Sequence, residues 1–360
     1  MTGEKAEAGG LDLIARDGRM AILVGLTVLG VLAIGLLPTI LAEGARDWIA
    51  YQQAADRLAT GQPLYVFALA TSDDEYYLYP PLGAALWQLA GSPEALLVLK
   101  IGALGLCGAL ALIAAPLASR RERLVVGACI VAAALVDPAD IHDLVLANVM
   151  AFYVGAVAFS LSRPGWLGAS ALGIVCAAAL KPVIGPYLLW LLIRRRSDFG
   201  RVAAVAIVAS VACSIVIGPQ RYVEYLIALP RMTVLGDLPT GNAGLSKFSL
   251  EIALVGLAAA YIATAVASVR LSRWRSAAVA IGAGMLAQPT LGLNYAGLLL
   301  PAIVALWIAD RPAGIVAIGA APILALVSPP LAGAFVIAAA FRESIWRRFR
   351  TSPRPVSVPA

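Results

Sequence analysis

The feature that most limits what this chain can become is a succession of apolar blocks, the longest at residues 20–42, 93–118 and 248–269. About 20 apolar residues in a helix cross a hydrocarbon core about 30 Å thick, and each of these blocks reaches that length. Composition agrees: 61% of the 360 residues are hydrophobic and 13% charged, with a mean hydropathy of +0.87, whereas soluble domains run at roughly half and about a quarter. The polar stretches between blocks, chiefly residues 43–79 and 220–247, are too short to be ordinary domains. A soluble enzyme, a secreted disulfide scaffold and a nucleic-acid binder are therefore excluded, and membrane lipid is the expected surrounding.

The net charge of +6 reads mainly as topology. Arginines cluster before the first block (Arg16, Arg19) and again at Arg120, Arg121 and Arg123, at Arg194, Arg195 and Arg196, at Arg270, Arg273 and Arg275, and at Arg347, Arg348 and Arg350. The positive-inside rule puts these on the cytoplasmic face, with both termini inside, as in a multi-pass protein of the plasma (inner) membrane. Apolar segments at 20–42, 93–118, 124–136, 144–161, 166–181, 183–193, 202–218, 248–269, 276–288, 294–309, 312–327 and 330–341 then give about 12 transmembrane or half-spanning helices. The expected fold is an all-α polytopic membrane protein. Residues 1–19 form a cytoplasmic tail, 20–341 a single transmembrane domain, 43–81 its first outer loop, and 342–360 a second cytoplasmic tail. The block at 20–42 exceeds a signal-peptide core of about 7 to 15 residues and reads as an uncleaved anchor. Cys107, Cys129, Cys176 and Cys213 all fall in apolar runs without metal-binding or disulfide spacing, so they read as packing residues.

Residues 166–193 are too broken to be one span. Lys181-Pro182 divides them, and the second piece rises only about 16 Å at about 1.5 Å per residue. Non-helical backbone at membrane depth is tolerated only inside protein or beside a water-filled cavity, so this break predicts a polar cavity opening outward. Lys181 there suits an anionic ligand, because intramembrane ionisable residues are costly; snorkelling to headgroups is the plainer reading. Lys100 poses the same choice.

In the first outer loop, Trp48, Tyr51, Ala55 and Leu58 share one helical stripe, which predicts an amphipathic helix over residues 47–60 lying in the interface. Asp47 suits its N-terminus, Gly61 its C-terminal cap, and Pro63 its end. Arg46 either pairs with Asp47 or holds a phosphate. Tyr65, the acidic run Asp73-Asp74-Glu75 and Tyr76-Tyr77-Leu78-Tyr79-Pro80-Pro81 follow. Tyrosines at this level usually form an aromatic belt; the alternative is a stacking surface for a sugar ring.

The pattern Asp47-Trp48-x-x-Tyr51-x-x-Ala54-Ala55-x-x-Leu58-x-x-Gly61-x-x-x-Tyr65, followed by Tyr79-Pro80-Pro81-Leu82, resembles the first outer loop of the GT-C polytopic glycosyltransferases, specifically glycosyltransferase family 87. Asn148, the Lys181-Pro182 break and Tyr295 occur where that family has similar elements. The resemblance covers roughly residues 20–310. Two departures stand out: Asn294 replaces a histidine frequent in the family, and Gly241-Asn242-Ala243-Gly244 replaces an Asn-Gln-Ser run.

The resemblance implies a GT-C-like bundle that moves a hexose, often mannose, from a polyprenyl-phosphate donor to a lipid or glycan acceptor on the outer face. Asp47 matches the catalytic position and would act as general base. Lys181, Arg46 and Lys100 are the candidates for the donor phosphate. Tyr51, Tyr65, Tyr79, Asn148, Asn242, Asn294 and Tyr295 are the candidates for sugar or acceptor. No metal and no cofactor is expected. Asp73-Asp74-Glu75 reads as a solvated loop, and His142 among Asp137, Asp140 and Asp143 as a histidine stabilised by neighbouring acids. The competing reading is a secondary transporter, which broken helices also suit, although repeated halves are not apparent. A non-catalytic lipid-binding scaffold would leave the pairing of Asp47 with Lys181 without a reason.

Overall fold

The computed structural model describes residues 46–66, 77–92, 95, 98–99, 149–235, 244–288 and 293–350; of Arg46, Asp47 and Asn294 it describes the backbone alone. The expectations for Lys100, Asn148, Asn242, His142 and the Asp73–Glu75 run lie outside the described residues, as do those for the first block at 20–42 and the segments from 100 to 148.

Among the described residues every regular element is a helix, and there are no strands. In chain order the helices are α1 Arg46–Ala59, α2 Pro81–Ala90, α3 Met150–Ser162, α4 Trp166–Ala179, α5 Gly185–Arg194, α6 Arg196–Ile217, α7 Gln220–Leu235, α8 Leu250–Arg270, α9 Arg273–Ala287, α10 Leu299–Ala309, α11 Arg311–Val327 and α12 Pro329–Arg350, with 3-10 turns at Pro182–Ile184, Leu245–Lys247 and Leu293–Leu298. Two of them, α6 and α8, are long and apolar enough to cross a membrane; α3, α4, α10 and parts of α11 and α12 are shorter apolar helices. At 22 residues α6 spans about 33 Å, whereas α4 at 14 residues reaches about 21 Å. Along α6, Ile207, Val208, Val211, Ile215 and Val216 are exposed. Such a contiguous apolar face is what a lipid or protein partner covers.

Helix α9 lies at the centre of the bundle, packed by α5, α8, α10 and α12. Its sequence explains the position: Ser276, Ala277, Ala278, Ala280, Gly282, Ala283 and Gly284 are all buried, and small side chains let neighbouring backbones approach closely. Gly83 of α2 serves the same end against α4, where an added Cβ would sit 2.5 Å from the Ala178 carbonyl oxygen.

Three boundaries differ from the sequence reading. The stretch at 220–247, read as a polar connector, holds the 16-residue helix α7. Helix α6 starts at Arg196 rather than near 202, because Arg195, Asp198 and Arg201 interlock across its first turns. Helix α12 runs on to Arg350, through the first part of what the sequence marks as a tail from residue 342.

Candidate functional site

The break between α4 and α5 is built by local chemistry. Pro182 disfavours helical backbone at the residue before it, and Lys181 is extended, with φ −131° and ψ 145°. Chain interruption of this kind leaves backbone groups to be satisfied inside the protein. The Tyr153 hydroxyl donates to the Ala179 carbonyl, and the Val183 N–H donates to Gln288 Oε1 at 3.2 Å. Neither Tyr153 nor Gln288 stood out in the sequence; the one signal was a polar or phenolic side chain near the end of an otherwise apolar span.

So braced, Lys181 reaches into a group of tyrosines. Its Nζ donates to the Tyr295 hydroxyl at 2.9 Å and lies 4.7 Å from the centre of that ring and 4.9 Å from the centre of Tyr79. Tyr295 comes from the turn Leu293–Leu298. Tyr79 comes from the irregular segment before α2, and the Tyr51 hydroxyl of α1 lies 3.4 Å from its hydroxyl. Ring faces beside an ammonium stabilise it by cation–π attraction. Among the described residues, no carboxylate pairs with Lys181.

Of the stripe expected on α1, Trp48, Tyr51 and Ala55 are buried and Leu58 is half-buried; Ala54 is buried beside them, while Asp56 and Thr60 are exposed. Gly61 terminates the helix with φ +74°, a conformation glycine adopts without a Cβ penalty, and Gln62 N–H returns to the Arg57 carbonyl at 2.9 Å. Asp47 occupies the first turn of α1, one turn before Tyr51, and residues so spaced share a helical face. The side chains of Asp47 and Arg46 lie outside the description, as does that of Asn294 beside Tyr295.

Among the described residues, the loop tyrosines pack inward instead of lining an exposed belt. Tyr77 and Tyr79 are buried and meet edge to face, centres 5.7 Å apart. Tyr65 donates to the Tyr79 carbonyl at 2.8 Å. Burial first, then neighbouring Tyr225 and Glu224, hold its hydroxyl above the ordinary phenol range, so it remains a donor. Tyr51 stacks on Trp87 at 4.9 Å. On its other side Trp87 lines an apolar cleft of about 330 Å³, with Leu86, Val149, Phe152, Val175 and Ala179. The buried indole Nε1–H of Trp87 has no hydrogen-bond partner among the described residues, an unusual state for a buried donor and one that a ligand oxygen would relieve. Ala178 and Ala179 of the cleft wall stand at the very end of α4, immediately before the break.

The site thus gathers five of the sequence candidates. Tyr51, Tyr79, Lys181 and Tyr295 meet directly, and Tyr65 holds the backbone beneath Tyr79. The arrangement combines one half-buried cation, a surround of phenol rings and hydroxyls, and an apolar cleft alongside. Comparison with known proteins leaves the geometry to speak alone: no family model, no curated protein and no solved structure matches the chain.

Proposed function

We propose that the chain is a polytopic membrane hexosyltransferase with a GT-C-like bundle, taking its sugar from a polyprenyl-phosphate donor and delivering it to a lipid or glycan acceptor at the outer face. The observation that carries this reading is Lys181, a cation held by two tyrosine rings and a phenol with no described carboxylate to neutralise it. Such a group at membrane depth is expensive unless an anion visits it. A phosphate joined to a long apolar chain fits both Lys181 and the adjoining cleft, and the Tyr295 hydroxyl beside the ammonium is a second polar group that such a phosphate would meet.

In this mechanism the acceptor hydroxyl oxygen attacks the anomeric carbon while the bond from that carbon to the phosphate oxygen breaks. The acceptor proton passes to the Asp47 carboxylate, and the departing phosphate takes the electron pair and rests against Lys181. One displacement inverts the anomeric centre, as in glycosidases where water attacks directly. General-base assistance contributes about 10²- to 10⁴-fold.

The test is radiolabelled hexose transfer from polyprenyl-phosphate hexose in membranes containing wild type, Asp47→Asn or Lys181→Ala protein. Loss of transfer in normally folded variants supports the assignment. Solute uptake without any transfer would replace it with the transporter, which the broken α4–α5 pair also suits.

A further inference from the structure

Helix α7 carries an ion pair that the transfer mechanism does not use. Arg221 Nη1 donates to both carboxylate oxygens of Glu224, at 3.0 and 3.1 Å. The same carboxylate accepts from the backbone N–H of Leu64 at 3.3 Å, across a sequence separation that no local preference sets. Leu64 is fully buried, so its N–H requires a partner inside the protein. The next residue, Tyr65, lays its ring near Tyr225 of the same helix, centres 5.8 Å apart, and donates to the Tyr79 carbonyl at 2.8 Å. The Tyr79 ring in turn lies 4.9 Å from Lys181 Nζ.

These contacts form one continuous path: Glu224, the Leu64 amide, Tyr65, the Tyr79 backbone, the Tyr79 ring, Lys181. We propose that Glu224 is a positioning residue for the candidate site, fixing the segment after α1 so that Tyr79 faces Lys181 and sets where the ammonium meets a phosphate. This role rests on the transferase reading of Lys181. Arg221 holds the Glu224 carboxylate in place and cancels its charge, so the tether supplies alignment without offering Lys181 a competing anion. An acceptor oxygen is what the path needs at residue 224, and a negative charge is not.

The experiment measures calorimetric binding of dodecyl phosphate, a single-chain lipid monophosphate, to the full chain in nanodiscs. It compares wild type, Lys181→Ala, Glu224→Ala, Glu224→Gln, Tyr65→Phe and the Glu224→Ala/Tyr65→Phe double variant. Wild type binds and Lys181→Ala loses most of that binding. Glu224→Ala and Tyr65→Phe each weaken it roughly three- to ten-fold, the effect of one hydrogen bond, and the double variant is no weaker than the worse single one, because both changes cut the same path. Glu224→Gln, which keeps an oxygen for the Leu64 N–H, stays within about two-fold of wild type.

Unchanged binding in Glu224→Ala, full additivity in the double variant, or a Glu224→Gln defect equal to that of Glu224→Ala would each overturn the positioning role while leaving the transferase reading intact. Wild-type binding that ignores Lys181→Ala would remove both at once. If Glu224→Ala fails to fold, the comparison of Tyr65→Phe with Glu224→Gln decides: the proposal requires a loss in the first and none in the second.

Discussion

The ten-residue helix α5 is flanked by a group of arginines beyond its C-terminal end and by the tyrosine cluster around the single Lys181 before its N-terminal end, and the two clusters are built on opposite plans. At its C-terminal end the Asp198 carboxylate takes Arg195 Nε at 2.5 Å and Arg201 Nη1 at 2.8 Å, together with the Gly165 N–H at 3.0 Å. Arg195 also donates to the Ser160 carbonyl at 3.0 Å, and Arg273 to that of Leu161 at 3.1 Å, so the guanidinium groups cap the last carbonyls of α3. At the N-terminal end Lys181 has tyrosines and no described carboxylate. One cluster spends its cations on internal partners and staples five helix ends together. The other braces a cation with aromatic rings and a phenol, and among the described residues no carboxylate answers it, the arrangement that the proposed phosphate site requires.

The contrast breaks or sharpens under mutation. The largest effect belongs to Lys181→Ala, for which transfer falls by about 10²- to 10³-fold, comparable to deleting one preorganised donor to developing charge. Thermal unfolding stays near wild type, and a collapse of folding would make Lys181 structural after all. At the opposite end, Asp198→Ala leaves two buried or half-buried arginines without their anion and costs about 3 kcal/mol of stability. The lowered melting temperature should come with unchanged donor KM in the protein that remains folded, and a selective loss of donor binding would blur the distinction between the clusters.

A smaller change is Gly83→Ala, where the new methyl meets the Ala178 carbonyl and the Tyr77 hydroxyl. Overpacking of that kind costs about 1 to 3 kcal/mol. Because it pushes α2 off α4 beside the Lys181 break, activity should fall ahead of stability, as a comparison of residual transfer with the unfolding midpoint would reveal. The smallest is Tyr187→Phe, which removes the 2.8 Å contact with Ser160 Oγ. It should lower stability by about 1 kcal/mol and leave transfer untouched; a loss of transfer would mean that the two ends of α5 are coupled.

Much of the local architecture is legible from residues taken in order. The stripe on α1, its end at Gly61, and the interruption at Lys181-Pro182 follow from helical periodicity, glycine's access to positive φ and proline's restriction of its predecessor. Helix α7 escaped because its apolar positions Tyr222, Val223, Tyr225, Leu226 and Ile227 are interspersed with Arg221 and Glu224, giving a mixed composition that resembles a connector. The arginine runs at 194–196 and 270–275 read as markers of topology, while in the fold Arg194, Arg195 and Arg273 also close helix ends. Composition reports where a charge is affordable and is silent about which carbonyl it meets.

The sequence by itself determined the helical, strongly apolar character of the chain, the position of its main break and the residue types that could act there, because these depend on periodicity and local backbone sterics. Only the tertiary structure decided that Tyr51, Tyr79, Lys181 and Tyr295 share one place, that Tyr153 and Gln288 satisfy the broken backbone, and that Glu224 ties α7 to Leu64. Those contacts join residues far apart in the chain, and helix packing, rather than any preference of the residues themselves, sets which of them meet.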